Sequence, residues 1–390
     1  MLFFRLLLDI ERKKWHNILR MKGRVCALKH YSDFGRKLTM LTKKGVAVVG
    51  YGGMGSWHTR HILNSDVCEL RGIWDINEAR RNVATENGIH VYSSFEDLLS
   101  DESVEIVTVA VPNDMHKPLC IAALEAGKNV ICEKPVTICL TDLKDIIAVS
   151  ERTGKLFTTH QNRRWDADFI LMKQVYESGD LGEVFGIESR VQGSHGIPGD
   201  WRKEKEHGGG MLLDWGVHLI DQILQMVNDK KLGSLYCRFD HITNYEVDDG
   251  FKLDMYFVDG PTARIEVGTS NFISLPRYYM AGTNGSAIVR GWGMDCEVVC
   301  CKNWEDKDVV PVVTAAGLTK TMAPRSKETQ TEYTLPSNKL DVHDFYRNYC
   351  LAIDGKAEQI VTHAQQMRLL RVMEACFESD RLGTPVAFEE

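Results

Sequence analysis

An acid and a histidine four residues apart form one candidate pair for proton chemistry. Asp214 and His218 follow a run of glycines, and their spacing places both side chains on one face of a predicted helix. Histidine titrates near neutral pH, and a neighbouring carboxylate can orient its ring and stabilise its charged form. An exposed helix-surface pair or two metal ligands are the alternatives. Because no convincing third ligand accompanies them, we expect no metal.

A lysine is the second candidate for this chemistry. Lys134 follows a predicted strand and precedes Pro135. Ligands bind at the carboxyl ends of strands in open α/β sheets, so its ammonium is placed to donate to a reacting oxygen and to favour an alkoxide-like transition state. The alternative is plain surface charge. If an alcohol is oxidised here, the formal base is either Lys134 or His218, and the sequence leaves both open.

A glycine-rich loop predicts a dinucleotide site. Residues 50–55 satisfy G-x-G-x-x-G, follow a predicted strand and open a predicted helix. The first glycine permits a tight turn, the second lets the backbone approach a pyrophosphate, and the third allows close helix–strand packing. Unpaired N–H groups at the helix N-terminus favour phosphate. The predicted cofactor contacts of this loop are Gly50, Tyr51, Gly52, Gly53, Met54 and Gly55.

An acid after the second strand favours NAD over NADP. Asp75 lies 20 residues after Gly55, where a carboxylate holds the ribose hydroxyls. Its charge repels a 2′-phosphate. Arg80 and Arg81 lie nearby and would soften this preference, unless they belong to a solvated helix face.

The elements around these residues alternate between strand and helix up to about residue 160. Strands predicted at 45–50 and 104–111 are nearly continuous apolar runs, as expected where both faces of a sheet are covered. This alternation indicates a parallel, doubly wound sheet of the Rossmann type. The other predicted elements here are helices at 55–64, 77–87, 115–126 and 141–153 and strands at 67–74, 128–132 and 155–160.

After residue 163 the pattern becomes α+β, with a large and mostly antiparallel open sheet. We therefore place an NAD-binding Rossmann domain at 40–162 and a substrate and oligomerisation domain at 163–390, with the C-terminal helices free to pack back on the first. Residues 303–330 are predicted to be a long loop or ragged edge. The predicted elements are helices at 166–178, 210–227, 341–354 and 362–380 and strands at 183–192, 234–241, 248–258, 262–272, 276–282 and 286–291.

Together these motifs resemble a known family. Glu-Lys-Pro at 133–135 follows one strand, Val-Pro-Asn-Asp-Met-His at 111–116 ends the preceding one, and Asp-Trp-Gly-Val-His at 214–218 follows three glycines. With the glycine loop, they look like the glucose–fructose oxidoreductase, inositol dehydrogenase and rhizopine-catabolism (Gfo/Idh/MocA) family. The resemblance covers roughly residues 44–390.

The resemblance implies roles for individual residues. Lys134, Asp214 and His218 would form a catalytic trio around the oxidised carbon, and these three would also contact the substrate. Glu133 would lie beside the nicotinamide ribose. Arg164 or its neighbour Arg163 would face the cofactor or substrate, with an interdomain salt bridge as the alternative.

Further candidates follow from position along the chain. Pro112 and Asn113 come after a strand and are predicted to line the cofactor groove. His116 opens a helix, and either joins them or is a cap-region residue. Trp201 and Arg202 precede the glycine run and are predicted substrate contacts, since an aromatic ring and charged donors suit a polyol or sugar; structural packing is the alternative.

The function implied by the resemblance is an NAD-dependent oxidoreductase. It would transfer a hydride between nicotinamide and a carbon of a sugar, inositol or sugar derivative. One alternative keeps the cofactor and uses transient oxidation to cleave a glycosidic bond. The other is a non-catalytic dinucleotide-binding sensor, which needs none of the trio.

Composition and charge exclude other classes. The chain has 390 residues, 44% hydrophobic and 26% charged, as in a globular protein with a proper core. A net charge of −7 argues against a nucleic-acid partner, and no apolar run is long enough to span a bilayer. Eleven cysteines without metal-type spacing indicate reduced thiols in a cytoplasmic protein. We expect a homodimer or homotetramer through the open sheet face, because exposed apolar sheet tends to be covered.

The basic leader stands apart from this body. Residues 1–39 carry ten Lys/Arg against three Asp/Glu. Arg5 splits the apolar run and no small-residue cleavage site follows, so a secretory signal is not indicated; a helix on a membrane surface is conceivable. Because Met40 stands just before the first strand, we expect the leader to be an extension outside the fold or a mis-called start.

Overall fold

The computed structural model describes residues 42–306 and 308–389. The leader at 1–39, and its predicted place outside the fold, therefore lie outside the described residues. Within the described part, no helix combines the length and the apolar character that a membrane crossing requires.

The N-terminal unit is a parallel sheet with helices on both faces. Its elements are β1 (Lys44–Val49), α1 (Gly53–Leu63), β2 (Cys68–Trp74), α2 (Glu78–Glu86), α3 (Phe95–Ser100), β3 (Ile106–Val109), α4 (His116–Glu125), β4 (Asn129–Cys132), α5 (Leu140–Thr153) and β5 (Phe157–Thr159). The strands pair in the order β2-β1-β3-β4-β5, and all pairs are parallel. The winding direction reverses between β1 and β3, which opens a crevice at the carboxyl ends of these strands.

Alternate residues of β1 enter two separate cores. Val46 and Val48 pack with Ile62 of α1, whereas Ala47 and Val49 belong to the core that contains Leu98 of α3. Successive side chains of a strand point to opposite faces, so a strand with both faces covered must be apolar at every position. This is why the strand is an unbroken apolar run in the sequence.

The C-terminal unit is built on a nine-stranded sheet. Its elements are α6 (Ala167–Ser178), β6 (Val184–Gln192), a π-helix (Leu212–Gly216), α7 (Val217–Met226), β7 (Leu232–Asp240), β8 (Gly250–Phe257), β9 (Thr262–Gly268), β10 (Tyr278–Gly282), β11 (Gly285–Val289), β12 (Cys296–Cys301), β13 (Val312–Thr314), β14 (Gly317–Thr319), β15 (Gln330–Leu335), α8 (Asp344–Ile353), α9 (His363–Leu382) and β16 (Val386–Ala387). The strand order is β15-β12-β11-β10-β6-β9-β8-β7-β16, and only β6 and β9 pair in parallel among these described strands. The predicted fold class, a Rossmann sheet plus a large mostly antiparallel sheet, is confirmed.

The edge of the second sheet differs from the prediction. The region 303–330 contains the hairpin β13–β14, which forms a separate two-stranded sheet. The strands β12 and β15 were also not predicted from the sequence, and they pair with each other across this insertion. Many residues of these two strands are partly exposed, and the strands are far apart in the sequence. A regular alternation of apolar and polar residues therefore does not mark them.

The two faces of the second sheet have different chemistry. One face is apolar and buried, with residues such as Leu253, Ile265 and Met280 in the main core. The opposite face carries cross-strand ion pairs, which are Arg190–Glu266, Lys252–Asp240, Arg264–Asp254 and Arg290–Glu297. This face also carries partly exposed apolar side chains, such as Tyr256, Tyr279 and Ile288, so it mixes charged pairs with apolar surface. Self-association of the chain through this face stays a prediction.

Helix α8 returns to the N-terminal sheet. Its Phe345, Tyr346 and Tyr349 join the core that contains Val46 and Ile131. The Tyr349 hydroxyl lies 2.9 Å from the carbonyl oxygen of Val130 and also contacts the neighbouring strand. The C-terminal part of the chain thus completes one face of the first sheet.

Candidate cofactor and active site

A cleft of about 580 Å³ opens at the carboxyl ends of the first four strands. The C-terminal unit closes it from the other side through the segment 200–202. The predicted residues that line it are Gly50, Gly52, Gly53, Met54, Asp75, Pro112, Asn113, Glu133, Lys134, Trp201 and Arg202. The glycine loop, the acid after β2 and the lysine after β4 therefore share one cavity.

The glycine loop fits a pyrophosphate. Gly50 has a φ of +91°, and a Cβ there would lie 2.3 Å from the Ala110 carbonyl oxygen. A Cβ on Gly55 would lie 1.9 Å from the carbonyl oxygen of Gly50, so this glycine allows α1 to pack closely. No side chain among the described residues caps the N-terminus of α1, and its first turn has no acid. Its N–H groups and partial positive charge are thus available to an anion.

Asp75 braces the glycine loop. Its Oδ2 accepts the backbone N–H of Tyr51 at 2.6 Å, and its Oδ1 accepts that of Asn77 at 2.7 Å. Tyr51, predicted as a cofactor contact, is absent from the described cleft lining, and its ring packs against the core. Tyr51 therefore acts through its backbone.

The two arginines after Asp75 differ in what they contact. Arg81 Nη1 donates to the carbonyl oxygens of Asp75 and Ile76, at 2.7 and 3.0 Å. Arg80 lines the cleft, is half exposed, and lies 3.5 Å from Asp75 Oδ2. Arg80 is thus a cation at the end of the cleft where the Asp75 carboxylate lies.

The Lys134 ammonium is held by Asp214. Lys134 Nζ donates to Asp214 Oδ1 at 3.0 Å and to its carbonyl oxygen at 3.1 Å, and Arg202 Nε lies 3.1 Å from Asp214 Oδ2. Burial raises the pKa of Asp214, but the charges of Lys134 and Arg202 outweigh this and lower it. The carboxylate is therefore ionised between two cations. The peptide bond between Lys134 and Pro135 is cis.

The predicted pair of Asp214 with His218 is not formed. Both carboxylate oxygens of Asp214 are engaged by cations, and no hydrogen bond joins it to His218 in the described part of the chain. Asp214 lies in the π-helix and His218 in the first turn of α7. The two residues therefore do not share the regular α-helix on which a contact between residues four apart depends. Asp214 orients Lys134 instead.

His218 is buried close to these charges. It is 4% exposed, and its Nδ1 has no partner among the described residues. Burial first, and then the charges of Lys134 and Arg163, hold the pKa of His218 well below its usual range. The imidazole is therefore uncharged at neutral pH and is able to accept a proton or a hydrogen bond.

Arg163 and two tryptophans form a wall beside His218. The Arg163 guanidinium carbon lies 4.2 Å from the centre of the Trp215 ring and 5.5 Å from that of Trp292. The rings of Trp215 and His218 are 6.2 Å apart. Neither tryptophan was among the predicted site residues, although Trp215 lies in the motif at 214–218.

Arg164 is not a cofactor residue. Its Nε and Nη2 donate to the two carboxylate oxygens of Asp221 at 2.8 and 2.7 Å, and its Nη1 reaches Ile360 and Gln365. It is 5% exposed and does not line the cleft. The observed arrangement is a buried salt bridge within the C-terminal unit, not the interdomain one that the sequence left open, and every guanidinium nitrogen is already used.

His116 is also placed away from the cofactor. It is fully buried, and its two ring nitrogens lie 2.9 and 3.0 Å from the carbonyl oxygens of Pro135 and Val111. Its prediction as a cofactor contact is therefore wrong. His116 ties together the two loops that carry Asn113 and Lys134.

The C-terminal unit crosses the cleft through residues 200–208. The Asn113 amide donates to the Gly208 carbonyl oxygen at 2.9 Å, and His207 Nδ1 lies 3.3 Å from Asp114 Oδ1. Trp201 and Arg202, predicted as substrate contacts, line the same cleft as the glycine loop. They thus lie on the cofactor side as well.

Glu133 enters a buried cluster that the sequence did not reveal. Its Oε1 lies 2.7 Å from His58 Nε2 and 2.8 Å from His160 Nδ1, and His58 Nδ1 lies 2.6 Å from the Tyr346 hydroxyl. Two histidines and an acid can hold a metal, but here both nitrogens are at hydrogen-bonding distance from one oxygen. The feature of the sequence that could have indicated this cluster is His58, a histidine on the helix that follows the glycine loop.

The cleft with its glycine loop and lysine defines an NAD-binding oxidoreductase, and the comparisons with known proteins agree. Residues 44–161 match the oxidoreductase family with an NAD-binding Rossmann fold, Gfo/Idh/MocA, and residues 169–288 match the Gfo/Idh/MocA C-terminal domain. The chain belongs to the Gfo/Idh/MocA family.

Individual relatives cover nearly the whole chain. An NAD-binding protein from Listeria innocua has a solved structure that is 44% identical, with a TM-score of 0.86, covering 89% of this chain and 100% of that one. An uncharacterised oxidoreductase of Schizosaccharomyces pombe is 26% identical over 351 residues, 83% of this chain and 92% of its own. The scyllo-inositol 2-dehydrogenase (NADP(+)) of Bacillus subtilis is 26% identical over 351 residues, 88% of this chain and 96% of its own.

Proposed function

We propose that this oxidoreductase transfers a hydride between nicotinamide and a CH–OH carbon of a sugar, inositol or sugar derivative. One observation carries the proposal. A lysine held by an aspartate lies at the end of a dinucleotide cleft, close enough to a buried histidine for its charge to lower the pKa of His218. A cation and a neutral base beside a nicotinamide site are what alcohol oxidation requires.

The cofactor would be held by residues of both units. The uncapped N-terminus of α1 would receive the pyrophosphate, and Asp75 the ribose hydroxyls. Glu133 and Asn113 line the part of the cleft near Lys134, where the nicotinamide half belongs. Bound NAD supplies the carbon that accepts or returns the hydride.

The proton would be handled by two residues with different tasks. Lys134 is held as an ammonium by Asp214, so it donates to the carbinol oxygen and stabilises negative charge there. His218 is uncharged because its pKa is lowered, so it accepts the hydroxyl proton during oxidation. This division names His218 as the formal base.

The polyol class of substrate is supported by one relative and one surface. The Bacillus subtilis relative is named for scyllo-inositol. Beside His218, the guanidinium of Arg163 and the rings of Trp215 and Trp292 offer a donor and apolar faces, which suit the hydroxyls and C–H faces of a polyol.

The cofactor test separates NAD from NADP. Because that relative is named for NADP(+) and Arg80 lines this cleft, both cofactors are assayed with each candidate substrate. We expect reduced nicotinamide to accumulate with at least one polyol or sugar and faster with NAD. Release of a free sugar from a glycoside without accumulation of reduced cofactor would instead indicate transient oxidation.

Lys134→Ala tests the mechanism. We expect turnover to fall by about 1,000-fold or more, while NAD affinity changes by less than about threefold, since the lysine acts on the reacting oxygen. Lys144→Ala, on the exposed face of α5, is the matched control. Near-normal turnover in Lys134→Ala would overturn the proposed mechanism.

A further inference from the structure

We propose that Asp248 is a positioning residue that fixes the start of the π-helix and thereby sets Asp214 against Lys134. The inference rests on the proposed function, in which Lys134 acts on the reacting oxygen. Asp248 lies on the loop before β8, in the C-terminal unit, and does not line the cleft. It therefore acts on the reaction only through the residues that it holds.

The Asp248 residue caps the π-helix. Its Oδ2 accepts the backbone N–H of Leu212 at 2.8 Å, and its carbonyl oxygen accepts that of Met211 at 3.0 Å. The first N–H groups of a helix have no partner within the helix, so a buried helix start needs acceptors from elsewhere in the chain. Met211 and Leu212 are almost fully buried, so these two bonds are not replaced by bonds to bulk water.

The backbone at Gly210 fits closely against the same carboxylate. Gly210 has a φ of +105°, and a Cβ there would lie 2.2 Å from Asp248 Oδ1. The position therefore requires glycine, both for its backbone conformation and for the close approach of the carboxylate. Asp248 thus holds three consecutive residues, from Gly210 to Leu212, at the place where the helix begins.

This short segment places the charged groups of the site. The backbone N–H of Asp214 donates to the Gly210 carbonyl oxygen at 3.0 Å, and the N–H of Gly210 donates to the Arg202 carbonyl oxygen at 2.9 Å. The Asp214 carboxylate in turn binds the side chains of Arg202 and Lys134. A displaced helix start would therefore move Asp214 away from Lys134.

Asp248 is a buried acid without a partner cation. It is 3% exposed and, in the part of the chain that the structure describes, forms no ion pair with a lysine or arginine. Burial raises the pKa of Asp248 to about 7, although N–H donors such as that of Leu212 oppose the rise. The carboxylic acid and the carboxylate both offer an oxygen to Leu212, so the cap persists on either side of neutral pH.

The test compares Asp248→Leu and Asp248→Asn with wild type, using NAD⁺ and the polyol or sugar that wild type oxidises fastest. Leucine removes the acceptor, so we expect kcat to fall by about 30-fold, whereas asparagine keeps an oxygen for Leu212 and should cost less than about threefold. The KM for NAD⁺ should stay within about twofold, because the glycine loop and Asp75 lie in the other unit. An unchanged kcat in Asp248→Leu would overturn the inference.

Thr362→Val is the matched control for the loss of a helix cap. The Thr362 hydroxyl accepts the backbone N–H of Gln365 at the start of α9, outside the lining of the cleft. We expect Thr362→Val and Asp248→Leu both to unfold at lower urea concentration, but only Asp248→Leu to lose kcat. A similar loss of kcat in Thr362→Val would assign Asp248 a merely structural role.

A double-variant cycle identifies the group through which Asp248 acts. In an Asp214→Asn background, Asp248→Leu should lower kcat by less than about threefold more, because the carboxylate that Asp248 positions is already absent. A further loss of about 30-fold would mean that the two residues act independently, which contradicts the inference.

Crystal structures of the variants provide a readout that needs no turnover. The distance from Lys134 Nζ to Asp214 Oδ1 is 3.0 Å, and we expect it to exceed about 4 Å in Asp248→Leu and to be retained in Asp248→Asn. If wild type oxidises no polyol or sugar, the proposed function is wrong, while this distance still tests the role of Asp248. Should Asp248→Leu fail to fold, Asp248→Ala removes the acceptor with less bulk, and an unchanged distance in it would refute the inference.

Discussion

Two polar clusters meet just after β4, and they are organised in opposite ways. Lys134 faces the cleft, where Asp214 and Arg202 surround it with alternating charges. Glu133, one residue earlier, turns to the rear and lies at hydrogen-bonding distance from two buried histidines, His58 and His160. The forward cluster borders the cavity, whereas the histidines of the rear cluster are completely buried.

The difference shows how neighbouring residues take different tasks. The forward charges are paired, so a substrate oxygen can replace one partner of Lys134 without leaving an isolated ion. The Glu133 carboxylate is held by His58, His160 and the backbone N–H of Lys134, and all three are in place before any ligand arrives. The forward cluster can respond to substrate, whereas the rear cluster is fixed by burial.

The largest effect should come from breaking the forward cluster. Asp214→Asn leaves Lys134 and Arg202 without their shared anion, so we expect kcat/KM to fall by about 100-fold or more. Asp200→Asn, which removes an exposed partner of Arg202, is the control and should cost less than about threefold. Similar losses of kcat/KM in both variants would mean that Asp214 matters no more to catalysis than an exposed partner of Arg202.

The buried ion pair of Arg164 and Asp221 lies outside both clusters, and its loss should lower stability. Arg164→Leu leaves Asp221 buried and unpaired, so the free energy of unfolding should fall by about 3–5 kcal/mol, measured by urea titration. Arg238→Leu removes an exposed cation and should cost less than about 1 kcal/mol. An Arg164→Leu variant of normal stability but weakened cofactor binding would restore the original cofactor assignment of this arginine.

The pH profile should report the electrostatics of the forward cluster. The folded pKa of His218 is lowered, so the neutral base persists as pH falls through about 6.5, and kcat for oxidation declines only at lower pH. Arg163→Gln removes a positive charge, so the acid limb should move upward by up to about one unit. Arg371→Gln is the control and should leave the limb in place, because this guanidinium, in the middle of α9, contacts Glu389 and Phe388 and is not among the charges that lower the pKa of His218. An unmoved limb in Arg163→Gln would exclude His218 as the base.

The smallest effect should come from the outer edge of the rear cluster. Tyr346→Phe removes the donor to His58 Nδ1 but leaves both bonds to Glu133. We expect turnover to change by less than about twofold and the free energy of unfolding, measured by urea titration, to fall by about 1 kcal/mol. A loss of turnover as large as that of Asp214→Asn would mean that Tyr346 also acts on the forward cluster.

Local patterns explain why the first sheet could be predicted from the sequence. The strands β1, β3 and β4 are short, mostly apolar runs, and the glycine loop, Asp75 and Lys134 each come just after a strand. Residues at the carboxyl ends of parallel strands converge at one edge, so the cleft follows from strand order alone. The cleft could therefore be predicted without knowing any contact between residues that are distant in the sequence.

The parts that escaped prediction depend on contacts between distant positions. His58 meets Glu133 across 75 residues and Tyr346 across 288, and no local periodicity records such pairs. Arg163 and Arg164 are adjacent in a single helical turn, yet one lies over Trp215 and the other is buried against Asp221. Only the packing of the second unit determines which of the two reaches the site.

The return of α8 to the first sheet has a consequence for synthesis on the ribosome. Until Phe345 and Tyr349 emerge, the sheet face that carries Val46, Ile106 and Ile131 is covered only in part, by α1. The nascent Rossmann unit therefore exposes part of an apolar face while most of the second unit is being translated. Chaperone demand during translation should end only when this helix leaves the exit tunnel.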